Sequence, residues 1–167
     1  MKRIWILALT VLLLGGCGSQ ETLETISDEA IQPAMAAPAS ITVKLPQEAA
    51  VPVLESDLQQ IYLCEGYEIT LENRPSGDLT ETVRQISGFN REDLTVLQTE
   101  QGSTDRYEFV WVSAGETGDR LGRAVILDDG QYHYCLSVLR DASAGEEDRW
   151  DAVFASFRLT EGFIRTD

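Results

Sequence analysis

The sequence predicts an α+β fold: a mostly antiparallel sheet of about five strands packed with two helices. Three observations predict it. Tyr107, Phe109 and Trp111 alternate with Glu108, Val110 and Val112, the period-two pattern of a strand. Asp128-Asp129-Gly130 places the favoured Asp-Gly turn between two further strand-like runs. Two segments, near 78–88 and 145–157, carry apolar residues at helical spacing between start and stop signals.

In chain order, Ile41–Leu45 alternates and predicts a short edge strand ended by Pro46. Residues 47–60 are ambiguous, with Ser56 and Asp57 placed to cap a helical turn before Leu58. Gln60 to Leu71 has strand character, and Gly66 within it suggests a bend or bulge. Asn73-Arg74-Pro75-Ser76-Gly77 is a turn cluster. Asp78 and Glu81 make a capping-box-like pair at the start of the first helix. Leu79, Val83 and Ile86 share one face of it, and Gly88 ends it. Four strands follow as a meander: Leu94–Thr99, the aromatic strand around Phe109, Leu121–Leu127 and Gln131–Arg140. In the last, Tyr132, Tyr134, Leu136 and Val138 lie on one face and His133, Cys135, Ser137 and Leu139 on the other. The second helix starts near Gly145. Its first turn holds Glu146, Glu147 and Asp148, where the helix dipole favours negative charge. Trp150, Val153, Phe154 and Phe157 form its core-facing stripe, and a polar tail runs from Thr160.

The N-terminus has a different character. Lys2 and Arg3 precede an apolar run from Ile4 to Leu14. Eleven residues rise about 16 Å as a helix, too short for a hydrocarbon core of roughly 30 Å. A charged start, a short apolar run and small residues make an export signal. Leu14-Gly15-Gly16-Cys17 resembles the bacterial lipobox, in which the cysteine takes a diacylglycerol and the chain is cut before it. The resemblance implies a signal peptide over 1–16, lipidation of Cys17 and anchorage to the extracytoplasmic face of the cell membrane, or to an outer membrane if the host has one. Two or more acyl chains hold a protein stably. Residues 17–40 then read as an acidic, Pro-Ala-rich tether, and 41–167 as one α+β domain.

The formal charge is −15, and −17 once Lys2 and Arg3 leave with the signal segment. Such a surface repels phosphate backbones, which argues against a nucleic-acid partner, and repels anionic headgroups. It suits a cationic partner or solubility alone. With Cys17 assigned to lipid, Cys64 and Cys135 remain, as a possible disulfide or as two buried thiols. No zinc spacing occurs, and no metal or cofactor is expected.

Chemistry would have to use the one histidine, His133, with Cys135 on the same strand face. A half-buried structural histidine explains it more simply. No nucleophile-elbow, phosphate-loop, dinucleotide or zinc-protease pattern is present, so no catalytic residue is assigned. The glycine-rich loop Ser113–Asp119 joins two strands. Its tip, with Tyr132, His133 and Tyr134 as a candidate binding surface, is where a partner is expected.

Gly130-Gln131-Tyr132-His133-Tyr134, an aromatic strand after a glycine turn, and the helix-ending Ser156-Phe157 resemble the PsbP-like family. That resemblance implies a central antiparallel sheet between helices and non-catalytic, assembly-type roles, with no active-site residue. The function expected is therefore a membrane-tethered binding or assembly module that meets an envelope protein or peptide. The alternatives are a small envelope hydrolase using His133 and an envelope sensor that depends on the thiols of Cys64 and Cys135.

Overall fold

The computed structural model describes residues 36–115, 118–142 and 147–160. The chain divides into two units, Met1–Ala34 and Met35–Asp167, and all the described residues belong to the second. The signal segment, Cys17, most of the tether, the first turn of the second helix before Glu147 and the polar tail past Thr160 lie outside them.

Among the described residues the fold is α+β, with two α-helices and a mostly antiparallel sheet. Its strands are β1 (Ser40–Thr42), β2 (Leu54–Glu55), β3 (Gln59–Cys64), β4 (Tyr67–Pro75), β5 (Leu97–Gln101), β6 (Thr104–Gly115), β7 (Gly118–Asp128), β8 (Tyr132–Asp141) and β9 (Arg158–Thr160). Helix α1 covers Leu79–Ser87 and α2 covers Glu147–Ser156. Seven strands form the main sheet in the order β2-β3-β4-β8-β7-β6-β5, and β1 pairs with β9 alone. The strand count exceeds the five expected for local reasons. Gly66, at φ +80°, makes a tight hairpin closed by the Cys64–Tyr67 pair, not a bulge within one strand. Ser56 caps no helix: its Oγ accepts from the Gln59 amide at 3.0 Å and so turns β2 into β3.

The meander β5 to β8 runs as the alternation predicts, but β5 starts at Leu97 because Arg91–Asp93 take one 3-10 turn first. β8 then pairs along its length with β4, so that β4 and β5 lie four places apart in the sheet. Helix α1 bridges that gap across one face. Its Val83 packs with Phe109 and Trp111 of β6, Ala124 and Ile126 of β7 and Cys135 of β8. Asp78 caps it by accepting from the Thr80 amide at 2.9 Å, and Gly88 ends it at φ +80°. Glu81 does not reach back to complete a capping box. It binds Arg84 and Gln85 one turn on, where a charge-assisted pair competes better.

The other face carries α2. Trp150, Val153, Phe154 and Phe157 are all buried against Ile69, Leu71, Val125, Leu127, Leu136 and Val138. Ala39, Ile41, Val43 and Leu45 join that core at its margin. The amide of Ala39 donates to the Tyr134 hydroxyl at 2.9 Å, and the Tyr132 hydroxyl donates to the Ala36 carbonyl at 2.9 Å. The last residues assigned to the tether, 36–40, are thus held to the sheet by two tyrosine hydroxyls.

Cys64 and Cys135 are both free thiols. Cys64 pairs with Tyr67 and belongs to the α2 face; Cys135 pairs with Glu72 and belongs to the α1 face. Five residue steps along β4 separate those levels, about 17 Å, against the roughly 7 Å limit for a disulfide. The possible disulfide is therefore not formed, because the two thiols point to opposite sides of one sheet. Burial pushes the Cys135 thiol up to about 12, which leaves almost no thiolate at neutral pH. In the folded chain, a thiol-alkylating reagent is expected to modify half-buried Cys64 and spare Cys135 until denaturant is added. Mass spectrometry reads this directly; a mass gain of two hydrogens on reduction alone would contradict it.

Candidate functional site

The residues with the strongest chemical promise meet under α1. His133 lies on β8, directly opposite Asp128 at the end of β7 and opposite Arg74 on β4. Its Nδ1 is 2.8 Å from the Thr82 hydroxyl, which α1 turns inward from its second turn. Its Nε2 is 3.5 Å from Asp128 Oδ2 and 3.5 Å from the Ser76 hydroxyl. Ser76 in turn donates to Asp128 Oδ1 at 3.2 Å. The turn cluster before α1 thus supplies Ser76, the hairpin supplies Asp128, and the helix supplies Thr82.

Serine, histidine and aspartate are the residue types of a hydrolytic relay, but the geometry differs from one. A relay needs the carboxylate on one ring nitrogen and the nucleophile on the other. Here Ser76 and Asp128 share Nε2. Thr82 holds the other nitrogen, but Thr82 is 6% exposed and His133 is 0% exposed. The arrangement gives both ring nitrogens a partner: Nε2 meets the Ser76 hydroxyl, which itself donates to Asp128, and Nδ1 meets the Thr82 hydroxyl. What it does is join helix α1 to strands β7 and β8. Cys135 shares the histidine's face, as its spacing predicts, but is 2% exposed and protonated.

Tyr132, His133 and Tyr134 do not form a surface. All three are buried, and the tyrosines point to the face opposite the histidine. The expectation failed because β8 is a central strand covered on both sides, by α1 on one and by α2 with the docked segment on the other. The nearly unbroken apolar run Tyr134–Leu139 is the signal that marks such a strand. The Tyr134 hydroxyl donates to Asp129 at 2.8 Å. Burial raises the Asp129 carboxyl, but the amides of Tyr132 and Gln131 and the Tyr134 hydroxyl more than offset this and hold it below its ordinary value. Asp129 is therefore a turn-organising carboxylate. Burial likewise pushes the Tyr134 phenol up to about 12. Among the described residues, no group of three or more His, Cys, Asp or Glu side chains is placed to hold a metal ion.

No protein-family model and no curated protein matches this sequence. The site must therefore be judged on its own geometry. The glycine-rich loop is the β6–β7 hairpin, closed by the Gly115–Gly118 pair, and its tip residues Glu116 and Thr117 lie outside the described ones. Close to it is a feature that periodicity alone did not mark. Val110 and Val112 of β6 are each 54% exposed and Leu97 of β5 is 59% exposed. All three belong to the α2 face, beyond the reach of α2. A helix of ten residues is about 15 Å long, while seven strands span about 29 Å. Between helix and stripe lies a groove of about 270 Å³, lined by Val110, Leu121, Val138, Trp150 and Phe154, with Arg123 at its side. Arg123 is neutralised there by Glu108 and Asp151 and lies over the Phe154 ring at 4.5 Å.

Proposed function

We propose that the chain is a lipid-anchored, extracytoplasmic binding or assembly module whose partner is an envelope protein or peptide. The observation that carries this reading is the uncovered apolar stripe of Leu97, Val110 and Val112 on a face whose other half is packed core. Large apolar residues grouped in this way mark an interaction surface more often than scattered ones do. The signal-like segment and Leu14–Cys17 support the anchor, and among the described residues this stripe lies on the main sheet.

The experiment places a photo-crosslinking residue at Val112 in the full chain, expressed in its own envelope. A discrete protein adduct is expected, and it should disappear when Val110→Asp is added. The Cys17→Ser form is expected to carry no acyl chain and to keep residues 1–16, which its intact mass would show. An adduct pattern indifferent to Val110→Asp would refute the binding surface. A parent chain whose intact mass shows no acyl group on Cys17 would refute the anchor.

A further inference from the structure

The main sheet ends differently on its two sides. At one side β2 is two residues long, and shortness is a common protection of a sheet edge. At the other, β5 has five residues, paired with β6 on one side and with no described strand on the other. Leu97, Gln98, Thr99 and Glu100 are exposed and Gln101 is half-buried. The strand contains no lysine, proline or described bulge, the usual devices that keep another strand away. Alternate backbone N–H and C=O groups along about 17 Å therefore face outward.

A second observation says what charge would fit beside it. Glu100 lies directly opposite Asp105 on β6, and Asp105 directly opposite Asp128 on β7. Side chains so placed share a face, about 5 Å apart, and like charges in that position are destabilising. The row continues inward to His133 and Arg74 and ends outward at Glu100. Among the described residues, neither Glu100 nor Asp105 has a salt-bridge partner. A cation in the next strand position would sit against the open end of this row. On the opposite face the neighbour would meet exposed Leu97, which itself lies directly opposite Glu108 on β6.

We propose that β5 receives an eighth strand: an extended, antiparallel segment of a partner protein with a basic residue opposite Glu100 and a large apolar residue opposite Leu97. Antiparallel register puts the apolar residue three positions after the basic one. Main-chain hydrogen bonds hold such a segment and the alternating side chains select it. The chain's net charge of −15 favours the approach of a cationic segment. A second copy of this chain fits less well, because it would bring an equally acidic body to the same edge. The inference rests on the reading of the chain as a binding module and names the chemistry of its partner.

The probe is a synthetic ten-residue peptide alternating Lys and Val, offered to the full chain in detergent micelles, with a Glu-Val peptide and an alternately N-methylated Lys-Val peptide as controls. Fluorescence anisotropy should show the Glu-Val peptide binding roughly tenfold or more weakly, and Glu100→Lys should narrow that gap. The N-methylated peptide, which cannot pair its backbone, should not bind. Hydrogen exchange should slow at Leu97–Gln101. Equal binding of the N-methylated peptide, protection elsewhere, or no Lys-Val binding would overturn the inference, as would a sedimentation shift showing that the edge is closed by a second copy. The Val112 adduct does not depend on these peptides. If it forms while they fail, strand addition falls and the binding-module reading stands.

Discussion

Gly122→Ala is expected to destabilise the domain by about 1–3 kcal/mol, a large effect for one methyl group. Gly122 sits on β7 directly opposite Trp111 of β6, and the indole lies across it. A Cβ at residue 122 would fall 2.0 Å from Trp111 Cε2 and 2.3 Å from Cζ2. Neither the ring nor the strand can yield cheaply. Trp111 is 7% exposed and packs with Phe109 at a centroid distance of 5.7 Å, so moving it opens the core under α1. The glycine is needed for space, not for backbone freedom. Urea unfolding of Gly122→Ala, Trp111→Leu and the double variant checks the cause. The double variant should be more stable than the sum of the single losses implies, by about 1–3 kcal/mol, because leucine no longer covers residue 122. Additive losses would show that the two residues do not compete for the same volume.

Removing His133 should have a comparable effect on stability. His133→Ala leaves an imidazole-sized cavity and strips the buried Thr82 hydroxyl of its 2.8 Å partner, together worth about 2–4 kcal/mol. Asp128 keeps its bonds from Ser76 and the Gly130 amide, so the loss should fall mainly on the docking of α1. Thr82→Val, close in shape but without the hydroxyl, should cost about 1–2 kcal/mol by leaving Nδ1 unpaired. The two substitutions should be less than additive, since each removes the same hydrogen bond. A hydrolase that used His133 would behave in the opposite way, losing its phenotype at unchanged stability. Thermal unfolding of His133→Ala with no loss would therefore restore the catalytic alternative.

The contrast between these two sites shows where local pattern was informative. His133 and Cys135 could be placed on one strand face from their spacing alone. That both were sealed depended on α1 lying across the sheet, which follows from β8 pairing with β4. No residue near His133 in sequence announces Thr82, 51 positions away. Gly122 gave no warning of Trp111 either, since its neighbour is set by the β6–β7 register.

By itself, the sequence determined the α+β class, the stripe of Trp150, Val153, Phe154 and Phe157, the caps of α1 at Asp78 and Gly88, and the hairpin at Asp128–Gly130. These depend on side-chain periodicity and turn chemistry, which act within a few residues. Only the tertiary structure decided that Cys64 and Cys135 stand apart, that Tyr132 and Tyr134 are core, that residues 36–40 dock, and that β5 is an open edge. Each depends on which strands become neighbours and which faces are then covered. Those choices are made by contacts between residues tens of positions apart, and a strand's own alternation is the same whether its second face meets water or another helix.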